Sequence, residues 1–126
     1  MKKYLVIGNP IEHSLSPRLH NFWIKENDIN AIYEKRKINE NDIQDLIVKV
    51  REKKLHGINV TVPFKKKVIK SLDLLSFEAK NTNSVNTIYL DNNKIIGHNT
   101  DIEGFETGMK NLQSYITKKR VLILGA

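Results

Sequence analysis

The sequence predicts an α/β fold, a three-layer sandwich in which helices cover both faces of a mixed, mostly parallel sheet of about six strands. Short apolar runs alternate along the chain with segments whose apolar residues recur every three or four positions, the pattern of strands followed by amphipathic helices. Two later runs flank Asn92-Asn93, a pair that tolerates the left-handed backbone of a tight hairpin, so we expect part of the sheet to be antiparallel. The 126 residues, 40% of them hydrophobic and 28% charged, suit one globular core.

The first part of the chain predicts two strand–helix units. Residues 4–7 form a continuous apolar run, which is typical of a strand buried on both faces. Ser16-Pro17 has the form of a helix N-cap followed by proline at the first helical position, so we expect a helix over 16–27. A more polar strand over 31–35 comes next. Apolar residues recur at helical spacing in both predicted helices: Leu19, Phe22 and Trp23, and then Ile43, Leu46, Ile47 and Val50.

The middle of the chain predicts the centre of the sheet. Residues 57–62 read as a third strand that stops at Pro63, and 64–72 as a short basic helix. The hairpin strands are predicted over 84–90 and 94–98.

The last part of the chain predicts one more helix and one more strand. Thr100 and Glu103 have the spacing of a capping box, which starts a helix at this point. Residues 120–124, which are apolar after Arg120, predict the beginning of another buried strand. The buried stripe of the helix is predicted to consist of Ile102, Phe105, Met109 and Leu112.

Composition and charge exclude several classes of protein. The chain has no cysteine, which rules out disulfides and cysteine-ligated zinc and suits a reducing cytoplasm. Its histidines show no ligand spacing, so no metal is predicted. The N-terminal apolar run is far shorter than a signal peptide or a membrane span, so we expect a cytoplasmic protein that does not enter a membrane. The net charge of +7 comes mainly from dispersed lysines without a basic-aromatic module, which argues against a nucleic-acid partner.

Polar side chains concentrate at three junctions between predicted strands and helices. These junctions are residues 13–17, 59–65 and 97–101. Open α/β sheets bind ligands in the crevice beyond the carboxyl ends of their strands. We therefore expect all three junctions to face one crevice.

The first junction predicts a seat for an anion. Ser16 is explained as an N-cap, whereas Ser14 has no comparable local role. Two hydroxyls beside the N-terminus of a helix favour a carboxylate or a phosphate, because free backbone N–H groups and the helix dipole attract negative charge there. A small acid is the natural ligand.

The second junction supplies hydrogen-bonding groups and a lysine. The period of two along a strand places Asn59 and Thr61 on the same side, although either side chain could simply bond neighbouring backbone. Lys65 follows at the start of the predicted basic helix, next to Lys66 and Lys67. The helix dipole and the like charges favour the neutral amine of Lys65, which could then exchange protons near neutral pH. For Lys66 and Lys67 we expect a solvated surface.

The third junction supplies a carboxylate. Asp101 lies in the first turn of the predicted helix, where the dipole favours its ionised form. If Asp101 and Lys65 meet over the crevice, the pair could orient a hydroxyl and move its proton. Asn86 adds an amide that both donates and accepts hydrogen bonds, as a polyol requires, or it is an ordinary sheet asparagine satisfied by a turn.

Four motifs in this order resemble shikimate dehydrogenase. They occupy residues 8–17 (Gly-Asn-Pro-Ile-Glu-His-Ser-Leu-Ser-Pro), followed by His20-Asn21, then 59–65 (Asn-Val-Thr-Val-Pro-Phe-Lys), 85–87 (Val-Asn-Thr), and 97–101 (Gly-His-Asn-Thr-Asp) with Gly104. The resemblance covers essentially the whole chain. The joint match is much more specific than any one motif.

The resemblance implies a reaction and a set of residue roles. Enzymes of this family reduce 3-dehydroshikimate to shikimate with NADPH, in the pathway to chorismate and the aromatic amino acids. By resemblance, Ser14 and Ser16 would hold the substrate carboxylate, and Lys65 would be the proton donor or relay. Residues that would bind the ring hydroxyls and the reacting oxygen are Asn59, Thr61, Asn86 and Asp101, the last also as the partner of Lys65.

The resemblance also implies a domain organisation. Residues 1–117 would be the substrate-binding domain, and 118–126 the first strand of a Rossmann domain that binds NADP, with Gly125 and Ala126 opening its cofactor turn. The other glycines of that turn do not follow, so we expect a fragment that is inactive alone. One local departure is Asn83-Ser84, where the family commonly has a glycine-alanine pair.

Several alternatives stay open at this point. The chain could be a stand-alone binding module for a small hydroxylated carboxylic acid that needs no cofactor. Within the family, a preference for quinate or shikimate, and for NADP or NAD, is not set by these residues. A homodimer is compatible with the sequence but not indicated by it.

Overall fold

The computed structural model describes residues 1–111 and 120–124. Its strands are β1 (Lys2–Gly8), β2 (Ala31–Lys37), β3 (Gly57–Val60), β4 (Leu74–Leu75), β5 (Thr87–Asp91) and β6 (Lys94–His98). Its α-helices are α1 (Ser16–Glu26), α2 (Ile43–Arg51), α3 (Phe77–Thr82) and α4 (Asp101–Asn111), and 3₁₀ helices cover Glu40–Asp42 and Lys67–Ser71. Within the described ranges, none of these helices combines the length and apolar character needed to cross a membrane.

The strands form one mixed sheet in the order β2-β1-β3-β5-β6-β4. β1 is parallel to β2 and β3, and β4 is parallel to β6, whereas β5 runs antiparallel to β3 and β6. Asn92 and Asn93 adopt φ values of 46° and 62° at the β5–β6 turn. The predictions of a mostly parallel sheet and of an asparagine hairpin are therefore confirmed.

The two faces of the sheet carry apolar clusters of very different size. Along β1, Leu5 and Ile7 point into a large core beneath α2, while Tyr4 and Val6 point to the opposite face. The large core includes the four predicted apolar residues of α2 and the buried aliphatic residues of β3, β5 and β6. The smaller cluster, beneath α1, consists of Val6, Ile11 and Tyr33 with Tyr4 and Ile24 against it.

The predicted basic helix is shorter than expected. Only Lys67–Ser71 is helical, and it is a 3₁₀ helix. The carbonyl oxygen of Lys65 accepts a hydrogen bond from the N–H of Val85 at 2.8 Å, so it is not available to an α-helical ladder. Lys65 consequently lies in a turn fixed against the segment that leads into β5. The short β4 and α3 were not predicted, because elements of this length have no clear period.

Two helices expose apolar residues that were expected to pack. In α1 the half-buried side includes His20, Asn21 and Ile24, and exposed residues are Leu19, Phe22 and Trp23. In α4 Phe105 is 68% exposed and no residue is buried, so the predicted stripe does not pack against the sheet, and Leu112 lies outside the described residues. Helical spacing identifies an apolar side of a helix but not whether another element covers it.

The last predicted strand does not form. Residues 120–124 have no regular secondary structure, and their apolar side chains are exposed. A buried strand requires neighbours for its backbone hydrogen bonds, and none of the six described strands pairs with this segment. The predicted boundary between 117 and 118, Gly125 and Ala126 lie outside the described residues.

Candidate functional site

Most of the predicted site residues line one cleft at the carboxyl ends of β1 and β3. The cleft has a volume of about 230 Å³ and lies on the α1 face of the sheet. The sequence-predicted residues in its wall are Ser16, Asn59, Thr61, Lys65, Asn86 and Asp101. Two further wall residues, His20 and Tyr33, were missed as site residues. Within the described part of the chain, no group of three or more His, Asp or Glu side chains is arranged to hold a metal ion.

Backbone contacts lock the first two junctions together. The N–H of Thr61 donates to the carbonyl of Ile7, and the N–H of Asn9 donates to the carbonyl of Val62, both at 3.0 Å. Gly8 permits this approach, because a Cβ at this position would lie 2.6 Å from Cγ2 of Thr61. The side chain of Thr61 is thereby held at the end of β1, beside the cleft.

The two serines of the first junction do not have the local roles that the sequence suggested, which were an N-cap for Ser16 and no structural role for Ser14. Leu15, not Ser16, occupies the N-cap position of α1, and its side chain has no hydroxyl to cap the helix. The hydroxyl of Ser14 accepts a hydrogen bond from the N–H of Ser16 at 3.3 Å. Ser14 therefore does have a local structural role, whereas the side chain of Ser16 lines the cleft.

Lys65 and Asp101 meet in the cleft although they are far apart in sequence. Nζ of Lys65 lies 2.6 Å from Oδ2 of Asp101, and both side chains remain partly accessible to solvent. The reason given for a neutral Lys65 was its place at a helix N-terminus, and that place is wrong, because Lys65 lies in a turn. The structure therefore shows Lys65 and Asp101 as an ion pair in the wall of the cleft.

Asn86 holds Asp101 in position. Its Nδ2 donates to Oδ1 of Asp101 at 3.0 Å and to the Thr100 hydroxyl at 2.8 Å. Its Oδ1 accepts from the N–H of Thr100 and from the Thr87 hydroxyl, both at 3.0 Å. These bonds replace the capping box predicted at Thr100. They also occupy both donors and both lone pairs of the Asn86 amide.

The Asn59 amide is also largely committed to the protein. Its Nδ2 donates to the carbonyl of Asn86 at 3.2 Å and to the Thr87 hydroxyl at 3.1 Å, and its Oδ1 accepts from the Tyr33 hydroxyl at 2.7 Å. One lone pair of Oδ1 is left, so Asn59 offers a ligand an acceptor rather than a donor.

His20 and Tyr33 form the aromatic wall of the cleft. Their rings are stacked with centroids 4.1 Å apart and planes within 6°. Burial lowers the pKa of His20 below its ordinary value and raises the pKa of Tyr33 to about 12. Both rings are therefore neutral near pH 7. The quoted motif contained His20, but neither periodicity nor spacing indicates that a residue of α1 and one of β2 stack.

The conformation of Asn83 explains how this chain accommodates Asn83-Ser84 where the family commonly has a glycine-alanine pair. It occupies the C-cap position of α3 with φ 50° and ψ 40°, the left-handed conformation that glycine adopts most readily. Asparagine is one of the few other residues that tolerate this conformation. The backbone leading to Asn86 therefore needs no glycine at this position.

The fold and the cleft together define an α/β ligand-binding domain built around a lysine–aspartate pair. A family model described as the shikimate dehydrogenase substrate binding domain matches residues 6–88. The chain belongs to this family, which confirms the resemblance found in the four motifs.

Individual relatives agree with this assignment. The chain is 57% identical over 125 residues to shikimate dehydrogenase (NADP(+)) of Pelagibacter ubique, an alignment that covers 99% of this chain and 47% of that protein. A crystal structure of shikimate 5-dehydrogenase from Listeria monocytogenes in complex with shikimate and NAD has a TM-score of 0.85 at 31% identity, covering 92% of this chain and 40% of that one. The Thermus thermophilus enzyme in complex with NADP(H) and shikimate has a TM-score of 0.82 at 31% identity, covering 90% and 43%. The chain thus spans about half the length of the curated relatives it matches.

Proposed function

We propose that this chain is the substrate-binding domain of an NADP-dependent shikimate dehydrogenase, which reversibly reduces 3-dehydroshikimate to shikimate. The observation that carries the proposal is the 2.6 Å contact between Lys65 and Asp101 inside a cleft of about 230 Å³ lined by hydroxyl and amide groups. The named activity of the relatives supports the same reaction. Quinate remains the nearest alternative substrate, because it is also a cyclic polyhydroxy carboxylate and differs from shikimate by one ring double bond and one hydroxyl.

The proposed chemistry divides between the cofactor and this domain. Reduction converts a ring ketone into a hydroxyl, so the carbonyl carbon receives a hydride and the oxygen receives a proton. NADPH supplies the hydride when it is bound. Lys65 donates the proton to the substrate oxygen as a general acid, and Asp101 holds its ammonium group in place.

The other predicted site residues orient the substrate in this proposal. Ser16 in the cleft wall holds the carboxylate next to the N-terminus of α1, which attracts negative charge, and Ser14, which is not one of the wall residues, assists from the preceding turn. Thr61 and the free lone pair of Asn59 contact ring hydroxyls. Asn86 contributes mainly by placing Asp101, because its own hydrogen-bonding groups are occupied.

The wider organisation belongs to the same proposal. Residues 1–117 would form the substrate-binding domain, and 118–126 would lead into the domain that binds NADP. Among the described residues no glycine-rich turn opens a helix in the manner of a dinucleotide site, so the cofactor is assigned to residues other than these. A cysteine-free chain suits a cytoplasmic enzyme.

Ligand binding by the isolated chain tests the substrate. Calorimetric titration with shikimate should show weak, saturable binding, since one domain supplies only part of the site. Lys65→Ala should weaken that binding, whereas Lys66→Ala, which removes an exposed neighbouring lysine, should not. Tight binding without any second domain would favour a stand-alone binding module instead.

Turnover tests the role of Lys65. In a protein that joins this domain to a nicotinamide-binding domain, Lys65→Ala should lower kcat about 10²- to 10⁴-fold, the usual contribution of a general acid. KM should change much less, and Lys66→Ala should retain normal kinetics. Normal turnover in Lys65→Ala would remove this lysine from the mechanism.

A further inference from the structure

A series of hydrogen bonds links the buried Tyr33 on β2 to Asp101 at the start of α4. The Tyr33 hydroxyl bonds Asn59 at 2.7 Å, Asn59 bonds the Thr87 hydroxyl at 3.1 Å, Thr87 bonds Asn86 at 3.0 Å, and Asn86 bonds Asp101 at 3.0 Å. We call these five residues the polar chain. Its members come from three strands, β2, β3 and β5, and it ends on the carboxylate that pairs with Lys65.

Backbone groups fix the direction of the first bond in the polar chain. Nδ2 of Asn59 lies 3.2 Å from the carbonyl oxygen of Asn86, which only accepts. The other end of the Asn59 amide, facing Tyr33, must therefore be the oxygen. Because that oxygen has no proton, the Tyr33 hydroxyl is the donor.

A second backbone group fixes the direction at the other end. The N–H of Thr100 only donates, so the amide atom of Asn86 that faces it, at 3.0 Å, is the oxygen. Thr87 then uses its single proton toward Asn86 and accepts from Asn59. The remaining amide nitrogen of Asn86 faces Asp101. Every bond of the polar chain thus runs from Tyr33 toward the carboxylate.

The first member of the polar chain is held as a permanent donor. Tyr33 is 4% exposed, and its backbone N–H and carbonyl both bond the side chain of Asn21 on α1. The stacked ring of His20 covers one face of its phenol. Since burial raises the pKa of Tyr33 to about 12, the hydroxyl keeps its proton throughout the neutral range.

We propose that Tyr33 is a positioning residue for Asp101, acting through the polar chain to fix the Lys65–Asp101 pair. Hydrogen bonds that run in one direction polarise one another, so each bond of the polar chain strengthens the next. Loss of the Tyr33 hydroxyl should therefore change the position of the Asp101 carboxylate, although Tyr33 makes no direct hydrogen bond to it. This role rests on the proposed function only for the identity of the ligand.

A double-mutant cycle on shikimate affinity tests the coupling. Tyr33→Phe and Thr87→Val each remove one hydroxyl while keeping the shape of the side chain. We expect each to weaken binding about three- to tenfold, the range for a single hydrogen bond. The dissociation constant of the double variant should lie within about twofold of that of the single variant that binds shikimate less tightly, because both substitutions break the same polar chain. Losses that multiply would mean that the two residues act independently and would overturn the proposal.

The side-chain amide resonances of Asn86 test the same idea without any ligand. These resonances should shift in Tyr33→Phe and should not shift in the control variant Tyr4→Phe. Tyr4 lies opposite Tyr33 on the neighbouring strand β1, and its hydroxyl forms no hydrogen bond with any residue that the structure describes. Unchanged Asn86 resonances in a folded Tyr33→Phe would overturn the proposal even if shikimate binds normally. If shikimate does not bind but the resonances shift, the proposed ligand fails and the positioning role stands. If Tyr33→Phe does not fold, Thr87→Val alone must shift the Asn86 amide resonances, and unchanged resonances would again contradict the role.

Discussion

The two faces of the sheet divide stability and function between them. The α2 face holds the large apolar core, in which Val50, Val68, Ile88 and Ile95 are completely buried. The α1 face holds the small cluster around Tyr33, and next to it the polar chain and the cleft. Buried polar groups are tolerated there because each finds a partner: no described buried side-chain nitrogen or oxygen lacks a hydrogen bond. One face thus fixes the fold and leaves the other free to carry chemistry.

The helices attach to these faces by different means. α2 packs through four fully buried aliphatic side chains, which gives non-directional hydrophobic stabilisation. α1 has no fully buried residue and is joined to β2 by the two hydrogen bonds between Asn21 and the backbone of Tyr33, at 2.7 and 3.0 Å. Directional bonds fix where α1 lies, and so where Ser16 and His20 enter the cleft.

Matched truncations on the two faces should give the largest contrast. Ile88→Ala should lower the free energy of unfolding by about 2–5 kcal/mol, because it leaves a cavity in the large core. Ile24→Ala should cost less than about 1 kcal/mol, since Ile24 is only half-buried and alanine is the better helix former. Urea denaturation of both variants measures the difference. Equal losses would contradict the division between the faces.

Asn86→Ala should have the next largest effect. It removes four side-chain hydrogen bonds, one to Thr87 of β5 and three to Thr100 and Asp101 at the start of α4, and we expect a loss of about 1–3 kcal/mol in the free energy of unfolding. Shikimate affinity should fall in parallel, because Asp101 loses its support. Asn81→Ala, at an exposed position of α3, is the control and should change stability by less than about 0.5 kcal/mol. An Asn86→Ala protein as stable as this control would show that the polar network contributes nothing to the fold.

The sequence predicted the α2 face more fully than the α1 face. Periodicity identified every buried residue of α2, since the pattern records which side of a helix is apolar. The same reasoning picked out Leu19, Phe22 and Trp23 in α1. The contacts of α1 with the sheet are instead made by His20, Asn21 and Ile24, and its hydrogen bonds to β2 come from the polar Asn21. Hydrophobic spacing contains no information about a helix that is fixed by hydrogen bonds.

The sequence indicated most residues of the candidate site, but it did not indicate the hydrogen bonds between them. The rule that ligands bind at the carboxyl ends of strands is enough to predict that Lys65 and Asp101 face one crevice. Tyr33 and Thr87 were missed as site residues, because their contribution depends on which residue of a neighbouring strand lies opposite. Strand register and amide orientation arise from tertiary contacts, and a single sequence does not state them.

The alkaline limit of stability should depend on the α1 face. The folded pKa of Tyr33 is raised from 10 to about 12, so the folded protein retains a proton that the unfolded chain releases. The free energy of unfolding should therefore fall as pH rises from about 10 to about 12. Tyr33→Phe should flatten this fall, whereas Tyr89→Phe, an exposed tyrosine of β5, should not. Denaturation midpoints at several alkaline pH values measure the slope, and the same slope in Tyr33→Phe would assign the alkaline limit to other groups.

At acid pH the α1 face should have a smaller effect on the free energy of unfolding. Burial lowers the pKa of His20 below 6.5, so the unfolded chain binds a proton that the folded protein resists. Stability contributed by the neutral ring is present above about pH 6.5 and is lost as pH falls through the lowered folded pKa. His20→Phe keeps a ring against Tyr33 but cannot titrate, so its free energy of unfolding should vary less as pH falls below about 6.5. His13→Gln removes an exposed histidine and should leave the wild-type slope unchanged. If His20→Phe also kept that slope, the acid sensitivity would originate elsewhere, and the α1 face would contribute hydrogen bonds but no pH dependence in this range.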